Sequence, residues 1–506
     1  MTMKLSRILF VGALLLAATA DAALAAEKVL KVATGFLSSR RGDPYQGITL
    51  PAVFTHHAIF DTLTSVDAQG RVIPSLAVEW RPETAKADVW VFTLRPGVTF
   101  NNGEPLTAEA LVVSAAHMAS PNGRAETIGS QMYQVARVEA VDDVTARVIL
   151  SESDALFPLH ATSWRIPAPK AFTTMDPLAF AANPVGSGPF KVDSWIEGRA
   201  RLVANRASWR APKIDAIDIV EMVDETSRMQ AFLSGAVNLV LSLSPDQRGA
   251  VEQAGGTFFA RKTSSVYFLA PVTAYRDNPA KDKRVRQALN LAVNRQAIID
   301  AILGGATTPA SQLSIPGSFG YDDDLKPIPY DPAKAKALLA EAGYAQGLKL
   351  TAGISAGVRA SDITYFQQVA ADLEKVGVHL ELIGRSLAIQ QKQMFGGDLE
   401  MDMINMFTRG QDMIVDYRHR ACVGTTQGRS PVHCDADVTA AVKAAMAEIE
   451  PEKRAALYRR VAQLEHDSPP GIVLWQGVEF DALSKGISGY EPAYDTMRLH
   501  LIDIAP

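Results

Sequence analysis

Val29 to Ala33 is a short, mainly apolar run that reads as a strand. A polar loop follows it, carrying Phe36, Ser38, Ser39, Arg40, Arg41 and Asp43-Pro44. Further on, Val89, Val91 and Thr93 alternate with Trp90, Phe92 and Leu94, the two-residue period of a strand with unlike faces, and Pro96-Gly97 ends it. Helical spacing appears later in the chain. Apolar residues at 285, 288, 289, 292, 299, 302 and 303 predict one amphipathic helix closed by Gly304-Gly305. Asp331-Pro332 opens a second helix, which runs through Leu338 and Leu339 to Gly343. A third has Phe366, Val369, Ala370 and Leu373 on one stripe and stops at Gly377. Strands and helices alternate through most of the chain, so the fold class is α/β. No repeat or low-complexity linker separates the parts, which predicts packed domain crossings and not flexible tethers.

The first residues follow a different pattern. Lys4 and Arg7 precede the apolar run Ile8 to Ala18, and the small residues Ala22 to Ala26 follow, as in an export signal cleaved after Ala25. That run is shorter than the roughly 20 residues a bilayer span needs, and no cysteine stands near the cleavage point to take a lipid. The expected product is a periplasmic protein that is not membrane-anchored, and a monomer.

Composition narrows the classes further. A chain of 506 residues exceeds what one core usually supports, so two or three domains are expected. The 50 Lys and Arg against 55 Asp and Glu leave a net charge of -5, with no basic excess to bind nucleic acid. Cys422 and Cys434 are the only cysteines. In an oxidising compartment this pair is expected to close a disulfide, while a metal site would need ligands beyond the adjacent His433.

Enzyme signatures are sparse. Gly353-Ile354-Ser355-Ala356-Gly357 fits a nucleophile elbow, but that device needs a helix directly after the serine, and the next helix start is Ser361-Asp362. A secreted serine hydrolase using Ser355 is the reading from another class. There is no Walker loop and no His-Glu-x-x-His, and no cofactor is implied. The neighbours His56 and His57 point about 100° apart on a helix, so one is expected buried and the other exposed.

Several segments in order carry a family resemblance. They are Phe60-Asp61-Thr62-Leu63, Gly70 to Trp80, Phe92 to Phe100, Asn102 to Glu109, Pro184-Val185-Gly186-Ser187-Gly188-Pro189-Phe190, Asp282 to Asn290, and Tyr330-Asp331-Pro332 through Ala342-Gly343-Tyr344. Together they resemble the extracytoplasmic solute-binding proteins of family 5, the peptide, nickel and opine receptors of ABC importers. The resemblance implies a periplasmic-binding-protein-like, two-lobe fold of three domains with the ligand cleft between lobes. Domain I is expected from 27–57, 187–274 and 482–506, domain II from 58–186, and domain III from 275–481. Gly186 and Gly188 are expected as hinge glycines with unusual backbone angles, and Arg95 and Trp80 as packing and ion-pair positions. The implied partners are a small-molecule or short-peptide ligand and an inner-membrane ABC permease; no chemistry is implied.

Departures from the family pattern bear on the ligand. Dipeptide-binding members carry an acidic residue, paired with the peptide amine, in the segment matching Met406-Phe407-Thr408-Arg409-Gly410-Gln411-Asp412. Asp412 fills that place or matches a neighbouring Asp-Pro of the family. Phe407 stands where tryptophan is common, and Arg409 adds a positive charge suited to an anion. Ile363, Thr364 and Tyr365 stand where dipeptide binders have a carboxylate-binding arginine. In nickel-type relatives an arginine matching Arg165 holds ligand carboxylates, as a bidentate guanidinium can; the competing reading is a surface arginine. Phe36, Trp164, Met406, Phe407 and Trp475 are the candidate apolar walls, each also plausible as core. The expected ligand is therefore a small amino-acid-derived or carboxylated solute, with a di- or oligopeptide as the alternative.

Overall fold

The computed structural model describes residues 27–38, 40–46, 50–67, 71–273, 276–356, 362–386, 389–390, 392–393, 398–408, 433, 435–493 and 496–505. Its frame is a ten-stranded mixed sheet. In chain order the strands are β1 (Val29–Thr34), β2 (Phe190–Ile196), β3 (Arg199–Ala204), β4 (Ala216–Glu221), β5 (Leu239–Leu243), β6 (Thr257–Pro271), β7 (Leu348–Ala356), β8 (Val378–Ser386), β9 (Met403–Phe407) and β10 (Ile472–Leu483). Their spatial order is β8-β7-β9-β6-β10-β5-β1-β4-β3-β2. β1 pairs in parallel with β4 and β5, and β7 pairs in parallel with β8 and β9.

β6 and β10, with 15 and 12 residues, are long enough to belong to both halves of this sheet. The carboxyl-terminal part of β10 pairs with β5, where Leu483 faces Leu239 and Phe480 faces Leu243. The other half is reached through the carboxyl-terminal part of β6, where Tyr267 faces Phe407 and Pro271 faces Met403. The β6–β10 ladder itself is irregular between Lys262 and Val266 and again before Phe268. An irregular ladder is where a strand pair bends most easily.

Two main buried clusters cover the frame. One gathers Leu30, Phe54, Phe92, Trp164, Phe190 and Leu202, and includes the inner face of a separate four-stranded antiparallel sheet. There Trp90, Phe92 and Leu94 point inward from strand Val89–Leu94, as their alternation predicts. The other gathers Leu269, Leu289, Ile299, Phe366, Leu474 and Phe480 around the far half of the large sheet.

The helix expected over 285–303 is two helices, Lys283–Ala292 and Arg295–Ile302. Asn294 divides them, because its side chain accepts the Ala297 N–H at 3.2 Å and so starts a new helix. The other helix ends hold. Asp331 caps Pro332–Glu341 through a 2.9 Å bond from the Lys334 N–H, and Gly343 and Gly377 follow their helices at φ 94° and 84°. The expectation of unusual backbone angles at Gly186 and Gly188 is corrected. Neither has a left-handed φ, and what they supply is room: a Cβ at Gly186 would meet the Ile59 carbonyl oxygen at 2.1 Å, and one at Gly188 the Ala58 oxygen at 2.6 Å. They let the chain lie against the end of helix α1 (Leu50–Ile59), whereas the strands joining the two half-sheets are β6 and β10.

Candidate ligand cleft

The strand directions locate a cleft. β5 is antiparallel to β10, so β5, β1 and β4 run toward the far half-sheet. β10 is antiparallel to β6 and β6 to β9, so β9, β7 and β8 run the opposite way. The carboxyl ends of both parallel sets therefore face one another, and among the described strands β6 and β10 cross between them. Leu243 ends level with Phe480 and Phe407 ends near the level of Trp475, five steps apart, or about 16 Å of strand. Carboxyl ends of parallel strands are where open α/β sheets bind ligands, and here two such edges share one gap.

The near edge begins at Gly35, directly after β1, and Phe36 stands there 46% exposed. Arg228, on the helix Glu225–Leu233, ties this edge together. Its Nη1 donates to the Met222 and Val223 carbonyls at 2.7 and 2.9 Å, and its Nη2 to the Ser242 carbonyl at 2.8 Å. Burial lowers the Arg228 pKa, with Glu225 and Asp224 opposing. A Cβ at residue 35 would come within 3.2 Å of this guanidinium, which explains a glycine there.

The far edge is built from side-chain amides and rings. Asn405 Oδ1 accepts from the Ser355 N–H at 3.0 Å and the Ser355 hydroxyl at 3.1 Å. Gln390 Nε2 donates to the Asn405 backbone oxygen at 3.1 Å and to its Oδ1 at 3.0 Å. Phe407 is partly buried against Tyr267, with ring centroids 6.4 Å apart, and Met406 is partly buried against a smaller cluster around Phe268. Trp475 is fully buried, edge-on to Tyr365 at 5.1 Å.

The floor is the irregular stretch of β6 and β10. Gln476 Nε2 donates to the Thr263 carbonyl at 2.9 Å. Gly477 leaves space for the Tyr267 ring, whose Cζ would lie 2.6 Å from an added Cβ. Beside it, Arg261 meets Glu479 at 3.1 Å and Asp481 at 3.2 Å, and Tyr490 donates to Asp481 at 2.9 Å. Burial opposes the charge on Arg261, but the two carboxylates outweigh it and the guanidinium holds its proton more firmly than usual. Burial also raises the Asp481 pKa against the pull of Arg261.

The remaining expected site residues fall elsewhere. Trp164 is fully buried, its Nε1 donating to Ser114 at 2.7 Å and its ring set against Phe157, so it is core and not a cleft wall. Arg165 is not a surface arginine. It is 4% exposed, and its Nη1 donates to the Pro44 and Gln46 carbonyls at 2.9 and 3.0 Å. Burial lowers its pKa to about 10, with Asp43 opposing. Arg409, Asp412, Cys422 and Cys434 lie outside the described residues. Ser355 lies in β7, bonded to an amide oxygen, and no histidine meets its hydroxyl among the described residues. Sequence reasoning missed Gln390, Asn405, Tyr267 and Arg228; the long β-type runs at 257–271 and 472–483 were the available signal for the crossing strands.

No group of three or more possible metal-ligating side chains occurs among the described residues, and no helix there is long and apolar enough to cross a membrane.

Comparison with known proteins agrees with this architecture. The chain is 26% identical over 94% of its length, and 95% of the relative's, to the di/tripeptide-binding protein 2 of Pseudomonas aeruginosa. Its fold matches the periplasmic binding protein DppA from Helicobacter pylori, solved with the peptide STSA, at a TM-score of 0.82, 20% identity and coverage of 95% and 99% of the two chains. It also matches MoaA of A. tumefacien R10, solved with mannopinic acid, at a TM-score of 0.81, 22% identity and coverage of 95% and 100%. Residues 71–419 match the profile of the bacterial extracellular solute-binding proteins, family 5. The two-lobe α/β fold is consistent with that family, and the chain belongs to the family 5 solute-binding proteins of ABC importers.

Proposed function

We propose that this receptor captures a small amino-acid-derived or carboxylated solute between its lobes and delivers it to an inner-membrane permease, performing no chemistry itself. The observation that carries the reading is the pair of opposed strand edges, joined among the described strands by β6 and β10 at an irregular ladder. Segments 27–57, 187–274 and 482–506, with 58–186, would form one lobe, and 275–481 the other. The lobes would close by rigid-body motion about the crossing strands. Phe36 on one side and Met406, Phe407 and Trp475 on the other would supply the walls. Arg409 would meet a carboxylate directly, with Asp412 taking an amine. Arg165, braced on the loop carbonyls at 44 and 46, would act through its charge, which together with burial depresses the neighbouring His57. The protein would be exported with cleavage after Ala25, bridged between Cys422 and Cys434, free of a membrane anchor, and monomeric.

A di- or oligopeptide ligand is the second reading, supported by the di/tripeptide-binding relative that spans nearly the whole chain. One experiment separates the two: native mass spectrometry of protein purified without denaturation, followed by calorimetric titration with carboxylated amino-acid derivatives and with di- and tripeptides. Tight binding of the former, weakened more than tenfold in Arg165→Ala, is the expected result. Tight binding of peptides with no effect of Arg165→Ala overturns it in favour of the peptide reading.

A further inference from the structure

Among the described residues, Gln390 and Trp475 each carry a buried side-chain polar atom with no hydrogen-bond partner. One is an acceptor, Gln390 Oε1, and the other a donor, Trp475 Nε1. Their side chains are 5% and 0% exposed. Leaving such atoms unmatched is costly in a folded protein, and native structures seldom do so without a reason.

The orientation of the Gln390 amide is determined by its neighbours. Its nitrogen donates to the backbone oxygen of Asn405, which accepts only, so the Gln390 oxygen must face away. Asn405 is itself fixed, since its Oδ1 accepts from both the backbone and the hydroxyl of Ser355. The chain Ser355–Asn405–Gln390 thus runs along the carboxyl ends of β7 and β9 and leaves one oriented oxygen at its end. Trp475 is at the matching level of β10. Its strand neighbour Gln476 faces Val266, one residue from the Tyr267–Phe407 pair that closes β9. Tyr365 holds the indole edge-on at 5.1 Å. Both side chains are therefore carried at the level of that strand edge.

We infer that Gln390 Oε1 and Trp475 Nε1 are ligand-recognition groups, the first accepting an N–H and the second donating to an oxygen of the bound solute. Both groups are neutral, so they select hydrogen-bonding pattern and not charge. The class they fit carries an amine or amide N–H together with a carbonyl or carboxylate oxygen. An anion without an N–H would leave the Gln390 oxygen unmatched and be discriminated against. This inference rests on the receptor reading above and adds the chemical pattern that the lobe reads.

The test uses one panel on the whole exported protein: L-amino acids, di- and tri-alanine, and N-(1-carboxyethyl) amino acids. For the tightest binder, analogues are made with each N–H replaced by N–CH3 or an ester oxygen, and each carbonyl by CH2. In the wild type, one N–H replacement and one carbonyl replacement should each cost on the order of tenfold in Kd. Gln390→Met should abolish the N–H penalty, and Trp475→Phe the carbonyl penalty, while the variants bind the already-replaced analogues as the wild type does. Unchanged penalties in a variant whose free form is less stable overturn the assignment of that residue, whose partner is then a structural water. Should no panel member bind the wild type, the receptor reading fails for these chemistries and the inference falls with it.

Discussion

The Ser187 hydroxyl donates a buried 2.7 Å hydrogen bond to Asp61 Oδ2 across 126 positions of sequence. The same carboxylate accepts from Trp209 Nε1 at 2.9 Å and from Arg210 Nε, and its side chain is almost wholly buried. Two of the segments that carry the family resemblance, one around Phe60 and one around Gly186, are therefore held together by this carboxylate. Removing it leaves a guanidinium, an indole and a hydroxyl without their acceptor, so Asp61→Ala should lower unfolding stability by about 3 kcal/mol or more. Urea titration measures this. Because the carboxylate lies outside the cleft edges, ligand affinity of the folded fraction should stay within about threefold of wild type.

The same junction makes the fold acid-sensitive. Burial, with Arg165 and Arg210 nearby, lowers the His57 pKa to about 3, and its Nδ1 accepts from the Met497 N–H at 3.4 Å. Burial and Arg210 lower His500 to about 4. Both values lie below the ordinary 6.5, so the unfolded chain binds these protons first as pH falls. The stability these two histidines contribute should therefore be full above about pH 6.5 and decline from there toward pH 4, by up to about 1.4 kcal/mol per pH unit for His57. Melting temperatures at pH 7.0, 5.5 and 4.5 should fall in that order. His57→Asn, which keeps an acceptor for the Met497 N–H, should flatten the decline; a slope equal to wild type would remove His57 as its source.

Cys422 and Cys434 make a separate prediction. A bridge closing so short a loop should stabilise the protein by about 3 kcal/mol in the chain-entropy model. Thiol titration of unfolded, unreduced protein should find no free thiol, and two would rule the bridge out.

Much of the fold is legible from periodicity and caps, because each is a local property. The alternation at Val89–Leu94 and the stops at Gly343 and Gly377 depend on a few neighbouring residues. Asn294 shows where periodicity fails: its capping side chain splits an apolar stripe that continues across the break. The cleft is less legible, since its residues meet only through sheet order. Gln390 and Asn405 are ordinary amides in sequence, and only the neighbouring ends of β7 and β9 bring Ser355 to Asn405. Trp164 and Trp475 look alike in sequence and are equally buried, yet one indole N–H is bonded to Ser114 and the other has no partner. Arg95, expected to pack, lies over the Trp209 ring at 4.2 Å.

Gly477 tests whether the crossing strands are the pivot. It is in the irregular part of β10, where an added Cβ would come within 2.4 Å of Thr263 Oγ1 and 2.6 Å of the Tyr267 ring. Gly477→Ala must therefore push β6 and β10 apart or rotate the Tyr267 ring away from Phe407. Overpacking of this kind costs about 1–3 kcal/mol of stability. The larger effect should be on motion, because the two strands are the only described strand links between the opposed edges. Small-angle scattering should show the wild type contracting at saturating ligand, with a stabilisation of about 2.7 kcal/mol at a hundredfold excess over Kd. In Gly477→Ala the contraction should shrink and Kd rise, since a lobe that cannot close fully forfeits the contacts made only in the closed state. If the variant is less stable yet contracts as the wild type does, the pivot lies outside β6 and β10.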